Sequence, residues 1–273
     1  MNAPTLAFVG GGNMAGAILG GLLQDGRPAN GVLVVEPHAP AREALTTRWP
    51  GLQVLAQADA RLADAALVVW AVKPQLFQAA AAPCRPFVGQ ALQLSVMAGL
   101  RSDAIAAATG SARVVRCMPN TPALIGQGMT GLFARDAVSD DERGQVEQVL
   151  SPTGQLLWVR READLDAVTA LSGSGPAYVF YFVEAMVQAA EAMGLTADEG
   201  RRLALATFAG AAALAQRSAE PPAVLRERVT SKGGTTHAAL TLLESRAVKQ
   251  HFIDALQAAR QRAVELGDEF GRA

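Results

Sequence analysis

Cysteine and histidine are scarce in this sequence of 273 residues. The two cysteines, Cys84 and Cys117, have no pairable spacing, which argues against a disulfide framework and against a zinc site. The three histidines, His38, His237 and His251, are scattered and form no metal motif, so we predict no bound metal. Few, unpaired cysteines are typical of a reducing compartment, and we expect a cytoplasmic protein.

An excess of one charge is also missing, because 24 basic residues balance 25 acidic ones and the net charge is -1. No basic tail or stripe stands out, so nucleic acid is not an expected partner. The most apolar segment, 176–187, is shorter than the roughly 20 residues that span a bilayer, and Glu184 interrupts it. The first residues lack a basic start and a long apolar run, so we expect neither a signal peptide nor a membrane protein.

What is present up to about residue 160 is an alternation of apolar runs and helical stretches. The runs are nearly continuously apolar and rich in β-branched residues, which is typical of strands buried on both faces of a parallel sheet. The alternation predicts an α/β fold with a doubly wound sheet. We predict strands at 5–9, 32–35, 66–72, 92–97, 113–118 and 156–159, and helices at 13–24, 40–49, 75–82, 101–108 and 139–150.

Strand patterns end after residue 160, and the remaining chain is predicted to be all-helical. We therefore predict two domains, 1–160 for dinucleotide binding and 161–273 for substrate binding and dimerisation. The predicted helix at 176–187 is apolar almost all round and has to be enclosed on most sides. A domain of about 110 residues has limited capacity to enclose it alone. We therefore expect a homodimer or a higher assembly of dimers.

The stretch "GGGNMAGAIL" begins at Gly10, directly after the first predicted strand. Gly10, Gly12 and Ala15 match the pattern G-x-G-x-x-G/A in the strand-to-helix context that the pattern requires. Gly10 permits a tight turn, Gly12 leaves room for a pyrophosphate, and Ala15 lets the helix pack closely on the strand. The motif predicts that NADPH or NADH binds at the N-terminus of the following helix.

Two further positions lie at the ends of predicted strands. Glu36 follows the second strand, where an acidic side chain accepts hydrogen bonds from the adenosine ribose and disfavours a 2′-phosphate. Arg42 lies close enough in sequence to reach such a phosphate, so the choice between NADH and NADPH stays open. Lys73, one of only three lysines, follows the strand at 66–72 and is expected near the nicotinamide ribose or the substrate.

Three loops rich in small residues, 117–131, 171–180 and 230–240, are candidates for substrate binding. Asn120 and Thr121 offer short hydrogen-bonding groups after a strand. The segment from Ser231 to Thr236 precedes a helix, and its main-chain N–H groups suit a small carboxylate. The sequence has no Ser-His-Asp arrangement and no paired catalytic carboxylates. Hydride transfer needs neither, because the nicotinamide carries the chemistry and the protein orients it.

Together these segments resemble the pyrroline-5-carboxylate reductase family. The matching segments run in the family's order from residue 8 to residue 240: "FVGGGNMAGAILGGL", "AVKPQ", "RCMPNTPALIGQGMTGL", "AVTALSGSGPAYVFYFVEAM" and "VTSKGGTTHAAL". The resemblance implies a Rossmann-like N-terminal doubly wound sheet and an all-α C-terminal dimerisation domain that interlocks with a second subunit. It also implies reduction of 1-pyrroline-5-carboxylate to L-proline by NADPH or NADH.

The resemblance implies roles for individual residues as well. Together with Glu36, the expected cofactor-binding residues are Gly10, Gly12, Asn13, Met14, Ala71, Val72, Lys73, Pro74 and Asn120. The expected substrate-binding residues are Asn120, Thr121, Ser231, Gly233, Gly234, Thr235 and Thr236. The expected catalytic residues are Thr236, Ser231 and Lys73. Some members have proline in place of Lys232, and the register of Glu220 is not fixed, so neither residue is assigned a role.

Two other functions are alternatives on the sequence alone. A β-hydroxyacid dehydrogenase has a similar glycine motif and a helical C-terminal domain, but it uses a lysine on a C-domain helix as a proton shuttle. The segment "SGSGPAYVFYFVEAM" contains no lysine. A non-catalytic dinucleotide sensor would use the glycine motif but would leave the loops at 117–131 and 230–236 without a purpose.

Overall fold

The computed structural model describes residues 5–271, and their strands form one sheet of eight. The strands are β1 (Thr5–Val9), β2 (Val32–Val35), β3 (Gln53–Leu55), β4 (Ala65–Trp70), β5 (Leu92–Ser95), β6 (Val114–Met118), β7 (Gly128–Ala134) and β8 (Gly154–Trp158). Their order is β3-β2-β1-β4-β5-β6-β7-β8. Every neighbouring pair is parallel except β6 and β7, which are antiparallel. The predicted doubly wound sheet is confirmed.

Helices connect the strands and make up the chain after β8. They are α1 (Asn13–Gln24), α2 (Ala39–Arg48), α3 (Phe77–Val88), α4 (Ser102–Thr109), α5 (Asp140–Leu150), α6 (Asp164–Val168), α7 (Gly175–Ala192), α8 (Ala197–Gln216), α9 (Pro222–Arg228), α10 (Thr235–Ser245) and α11 (Val248–Gly271). A π-helical turn, Thr169–Gly173, separates α6 from α7. The predicted all-helical second half is confirmed.

The described residues form two compact units. The first contains the residues up to Ser174 together with those from Ala259 onward, and the second is Gly175–Ala258. These bounds reflect packing within the chain. The functional division at residue 160 stays a prediction.

The sheet of the first unit is covered on both faces. On one face, Ile18 of α1 and Val146 of α5 pack in the same buried cluster as Phe8 of β1. On the other face, Phe77 of α3 and Ile105 of α4 belong to a second buried cluster. Each such side chain stabilises the fold by about 1.5–3 kcal/mol through burial. β2 and β4 are apolar along their whole length because both faces of the sheet are enclosed.

Two strands were not predicted. β3 is only three residues long, and β7 begins inside the segment 117–131 that was predicted to be a loop. Two helices begin with a capping box, formed by Ser139 with Glu142 at the start of α5 and by Thr196 with Glu199 at the start of α8.

A partly buried charge network involving β6, the start of α4 and the start of α6 was also not predicted. Arg116 on β6 is 4% exposed, and its Nη1 lies 2.7 Å from Oε1 of Glu162. Glu162 also accepts hydrogen bonds from the main-chain N–H of Ser102 at 2.6 Å and from its hydroxyl at 2.7 Å. Arg101 makes a bidentate ion pair with Asp166, with distances of 3.2 and 3.0 Å. The network ties α4 to the segment that leads into α6.

The pKa of Glu162 gives this network a pH dependence. Burial pushes the pKa up, but the hydrogen bonds from Ser102 and the charge of Arg116 outweigh burial, so the pKa is lowered. A lowered pKa means that folding favours the ionised carboxylate. The stabilisation is therefore complete above the ordinary pKa of a glutamic acid, and it is lost as the pH falls from that value through the lowered pKa of the folded state.

We expect Glu162→Gln to lower the free energy of unfolding at pH 7 by about 1.5–2 kcal/mol, because Arg116 loses its counterion. The difference from wild type should shrink as the pH falls below about 4. Denaturant titrations of both proteins at pH 7 and at lower pH values measure this difference in the free energy of unfolding. Glu43→Gln, on the exposed surface of α2, is the control and should change little at any pH. A difference for Glu162→Gln that stays constant with pH would contradict the assignment.

Candidate functional site

A tight turn closes β1 at the start of the glycine motif. Gly10 has a φ of +97°, and its N–H donates to the carbonyl of Val35 at 2.9 Å. A Cβ at this position would lie 2.6 Å from the carbonyl oxygen of Ala71. The turn needs glycine both for its backbone conformation and for the close approach of the chain after β4.

Gly12 is the residue before the first turn of α1, and its environment differs from that of Gly10. Its backbone is extended, with a φ of -74°, and a Cβ there would meet nothing within 4 Å. It makes no side-chain cap to α1, and Asn13 beside it is exposed. Met14 is half-buried and packs against the core of the first unit. The first N–H groups of α1 therefore face open space, which suits an anion such as a pyrophosphate.

The carboxylate of Glu36 lies against this loop. Its Oε2 accepts the N–H of Gly11 at 2.8 Å, and its Oε1 accepts the N–H of His38 at 2.9 Å. Arg42 donates through Nη1 to the carbonyls of Glu36 at 3.1 Å and Pro37 at 2.7 Å. Glu36 is half-buried. The turn after β2 therefore holds Glu36 in a fixed orientation beside the glycine motif.

An apolar cleft of about 510 Å³ lies at the carboxyl ends of β1, β2 and β4. This edge is where the strand order reverses, the usual place for a ligand in an open α/β sheet. The size and the apolar lining suit a planar aromatic base such as adenine. The cleft is lined by Val9, Gly10, Val35, Pro37, Ala56, Gln57, Ala58, Val72, Leu76, Ala79, Ala80, Pro83 and Cys84. The residues after β3 were missed because β3 itself was not predicted.

The segment after β4 begins as a continuation of the sheet and ends in a turn. The N–H of Ala71 donates to the carbonyl of Val9 at 2.9 Å, and Val72 lines the cleft. Lys73 is exposed and precedes the 3₁₀ turn Pro74–Leu76. Its amine is therefore accessible to a ligand at this edge of the sheet.

The structure gives Asn120 a role that sequence reasoning missed. Its Oδ1 accepts the N–H of Met129 at 2.9 Å, and its Nδ2 donates to the carbonyl of Ser172 at 3.3 Å and to the hydroxyl of Ser172 at 3.2 Å. The amide thus fastens the loop after β6 to the start of β7 and to the π-helical turn. Thr121 beside it is exposed at the start of the 3₁₀ turn Thr121–Ile125.

The predicted carboxylate loop lies in the second unit, between α9 and α10. Gly234 N–H donates to the carbonyl of Ser231 at 3.0 Å, and Gly233 has a φ of +76°. Gly234 is the N-cap of α10 and provides no side-chain cap, so the first N–H groups of that helix, at Thr235 and Thr236, lack a side-chain partner from the cap. Thr236 is half-buried in that first turn. A turn of this kind can receive a carboxylate.

The predicted residues fall into three groups. The glycine motif, Glu36 and the segment Ala71–Pro74 lie together at the carboxyl ends of β1, β2 and β4. Asn120 and Thr121 follow β6, which lies two strands beyond β4 in the same sheet. The turn from Ser231 to Thr236 belongs to the second unit. Within residues 5–271, no cluster of three His, Cys, Asp or Glu side chains could hold a metal ion, and no helix is long and apolar enough to cross a membrane.

A full-length comparison identifies the family. The chain is 42% identical over 274 residues to a pyrroline-5-carboxylate reductase from Pseudomonas aeruginosa, and the match covers 100% of both chains. This chain belongs to the pyrroline-5-carboxylate reductase family. The family model described as pyrroline-5-carboxylate reductase dimerisation matches residues 162–266. A model described as NADP oxidoreductase, coenzyme F420-dependent, matches residues 5–99.

Solved structures agree with this membership. The pyrroline-5-carboxylate reductase from Coxiella burnetii has a TM-score of 0.90 at 36% identity, with 97% of this chain and 99% of that chain covered. The Plasmodium falciparum pyrroline carboxylate reductase, whose structure has NADP bound, has a TM-score of 0.85 at 26% identity, with 98% and 99% covered. The chain is therefore a Rossmann-like oxidoreductase that uses NAD(P)H, with a dimerisation domain after the sheet.

Proposed function

We infer that this protein reduces 1-pyrroline-5-carboxylate to L-proline with NAD(P)H. The observation that carries this inference is the full-length match at 42% identity to a pyrroline-5-carboxylate reductase. The site supports this inference, because three features occur together at one edge of the sheet. They are the uncapped N-terminus of α1, the apolar cleft, and the carboxylate of Glu36 at the end of β2. These features fit a dinucleotide.

The residues of the first unit would hold the coenzyme. The main-chain N–H groups after Gly12, with Asn13 and Met14, would bind the pyrophosphate, and Glu36 would bind the adenosine ribose. Ala71, Val72, Lys73, Pro74 and Asn120 would flank the nicotinamide half. When bound, the reduced nicotinamide supplies a hydride to the C=N bond of the substrate. The protein supplies orientation and excludes water, and a protonated imine needs no strong general acid.

The residues of the second unit would hold the substrate. Ser231, Gly233, Gly234, Thr235 and Thr236 are proposed to bind its carboxylate, with Asn120 and Thr121 near the ring. The open N-terminus of α10 supports this, since main-chain donors and the helix dipole favour a negative charge. Thr236, Ser231 and Lys73 are the proposed catalytic residues.

We expect Thr236→Ala to raise the KM for pyrroline-5-carboxylate about tenfold to 150-fold, because the loss of one hydrogen bond to a charged group costs about 1.5–3 kcal/mol. The KM for the coenzyme should stay within about twofold, because the two ligands are assigned to different units. Steady-state kinetics with each substrate varied in turn measure both constants. Thr241→Ala is the matched control, since Thr241 lies on the same helix and its hydroxyl donates to the carbonyl of His237. An unchanged KM in Thr236→Ala would contradict the assignment of the carboxylate loop.

We also propose that the protein is a homodimer, or a higher assembly of dimers. In α7 only Ala190 is buried, whereas Phe180 is 58% and Tyr181 is 68% exposed. We propose that a second copy of the chain packs against these side chains, because the family model described as dimerisation includes α7. A cytoplasmic location stays a prediction, supported by the free thiols of both cysteines.

The deciding experiment follows the absorbance of NADH and NADPH at 340 nm with synthetic pyrroline-5-carboxylate, and measures proline by chromatography. We expect coenzyme oxidation and proline formation in a 1:1 ratio. Coenzyme oxidation only with keto acids or aldehydes, which are the oxidised partners of hydroxyacids, would contradict the proposal, and binding of coenzyme without any turnover would favour a sensor.

A further inference from the structure

We propose that Glu36 makes this protein prefer NADH over NADPH. The proposal rests on the proposed function in that it concerns the same coenzyme site. It goes further because it names one residue that selects the coenzyme. Neither the sequence nor the family membership fixes this choice, since a relative of known structure has NADP bound.

The first step of the argument is the location of the carboxylate. Glu36 directly follows β2, and its neighbours Val35 and Pro37 line the apolar cleft that suits adenine. Its Oε2 also contacts the N–H of Gly11, inside the loop proposed to bind the pyrophosphate. The carboxylate therefore lies between the cleft for the base and the loop for the phosphates. The adenosine ribose is the part of a dinucleotide that connects these two.

The second step is that the carboxylate is held there. Two main-chain N–H groups, from Gly11 at 2.8 Å and His38 at 2.9 Å, each donate to a different oxygen of Glu36. Turning the side chain away would leave both donors without this acceptor, which opposes the movement. Each carboxylate oxygen can accept a further hydrogen bond, so the pair of ribose hydroxyls has acceptors in place.

The third step concerns a 2′-phosphate. A phosphate on that hydroxyl would bring about two further negative charges against a fixed carboxylate and would remove the hydroxyl that donates to it. Arg42 is the nearby cation that could compensate. Its Nη1 instead donates to the carbonyls of Glu36 and Pro37, so this arginine supports the turn that fixes the carboxylate. The local charges therefore favour a ribose with both hydroxyls free.

The test measures the dissociation constants of NADH and NADPH for the full-length protein by isothermal titration calorimetry, and then kcat/KM for each with pyrroline-5-carboxylate. We expect wild type to bind NADH at least about tenfold more tightly, since like charges in close contact are strongly unfavourable. Glu36→Gln keeps the shape of the side chain and one acceptor oxygen but removes the charge. The affinities of this variant for NADH and NADPH should therefore differ by no more than about threefold. Glu43→Gln removes a charge from the exposed surface of α2 and should keep the wild-type ratio.

The ratio of the two dissociation constants distinguishes a role in coenzyme selectivity from a merely structural role. A distorted loop would weaken the binding of both coenzymes equally and leave the ratio unchanged. Equal or tighter binding of NADPH by wild type would overturn the proposal, and so would a Glu36→Gln variant with an unchanged ratio. The failure of the proposed function would look different. In that case NADH would bind with the expected preference, but pyrroline-5-carboxylate would not be reduced.

Discussion

Replacing Gly12 by alanine is expected to weaken NADH binding about tenfold to hundredfold without moving the thermal unfolding transition. The backbone at Gly12 is extended, a conformation that alanine adopts without strain, and an added Cβ meets nothing within 4 Å of the protein. The same methyl group would occupy the space proposed for the pyrophosphate, and such an overlap costs about 1–3 kcal/mol. Calorimetric titration with NADH and a thermal melt without coenzyme measure the two quantities.

Gly144→Ala is the matched control for Gly12. Gly144 lies within α5, and a Cβ there also meets nothing within 4 Å. Alanine is the better helix former, so this variant should keep its affinity for NADH and unfold at the same or a higher temperature. If Gly12→Ala bound NADH as tightly as Gly144→Ala, the pyrophosphate would not lie at this glycine.

Replacing Gly10 by alanine is expected to destabilise the fold itself, in contrast to Gly12. The φ of +97° is unfavourable for any residue with a Cβ, and the added atom would lie 2.6 Å from the carbonyl oxygen of Ala71. Strain and overlap together cost about 2–6 kcal/mol, which lowers the unfolding temperature by about 5–15 °C. Coenzyme binding should fail as a consequence.

A thermal melt with and without NADH distinguishes the two glycines. Without NADH, Gly12→Ala should have the same unfolding temperature as wild type. With NADH, it should lose most of the rise in unfolding temperature that wild type shows. Gly10→Ala should have a lower unfolding temperature than wild type even without NADH. If Gly10→Ala unfolded at the same temperature as wild type, the turn after β1 would be able to rearrange. That result would contradict the close approach between Gly10 and Ala71.

The sheet could be predicted where its strands are buried on both faces. β1, β2 and β4 are continuous apolar runs, because α-helices cover both sides of them. β3 escaped prediction because three residues are too few to show a pattern. β7 escaped because Gly128 and Gly131 gave it the appearance of a loop. Both glycines are required for close packing, since a Cβ at Gly131 would lie 2.7 Å from Val168, and one at Gly128 would lie 2.7 Å from the carbonyl of Thr153.

The candidate site could be predicted as a set of positions but not as a set of contacts. The glycine motif was readable because its spacing is local. The hydrogen bond from Gly11 to Glu36 joins residues 25 positions apart, and the one from Asn120 to Ser172 joins residues 52 positions apart. Such pairings depend on the fold. Asn120, predicted as a ligand-binding side chain, therefore turned out to have hydrogen-bond partners within the protein itself, and its role toward coenzyme and substrate stays a prediction.

Both cysteines lie in the core of the first unit. Burial raises the pKa of Cys84 to about 11, and burial, opposed in part by the charge of Arg116, raises that of Cys117 to about 12. At neutral pH almost none of either thiol is in the reactive thiolate form, although Cys84 borders the cleft assigned to adenine. Peroxide and alkylating reagents are therefore expected to react slowly with these two side chains, because they attack an accessible thiolate.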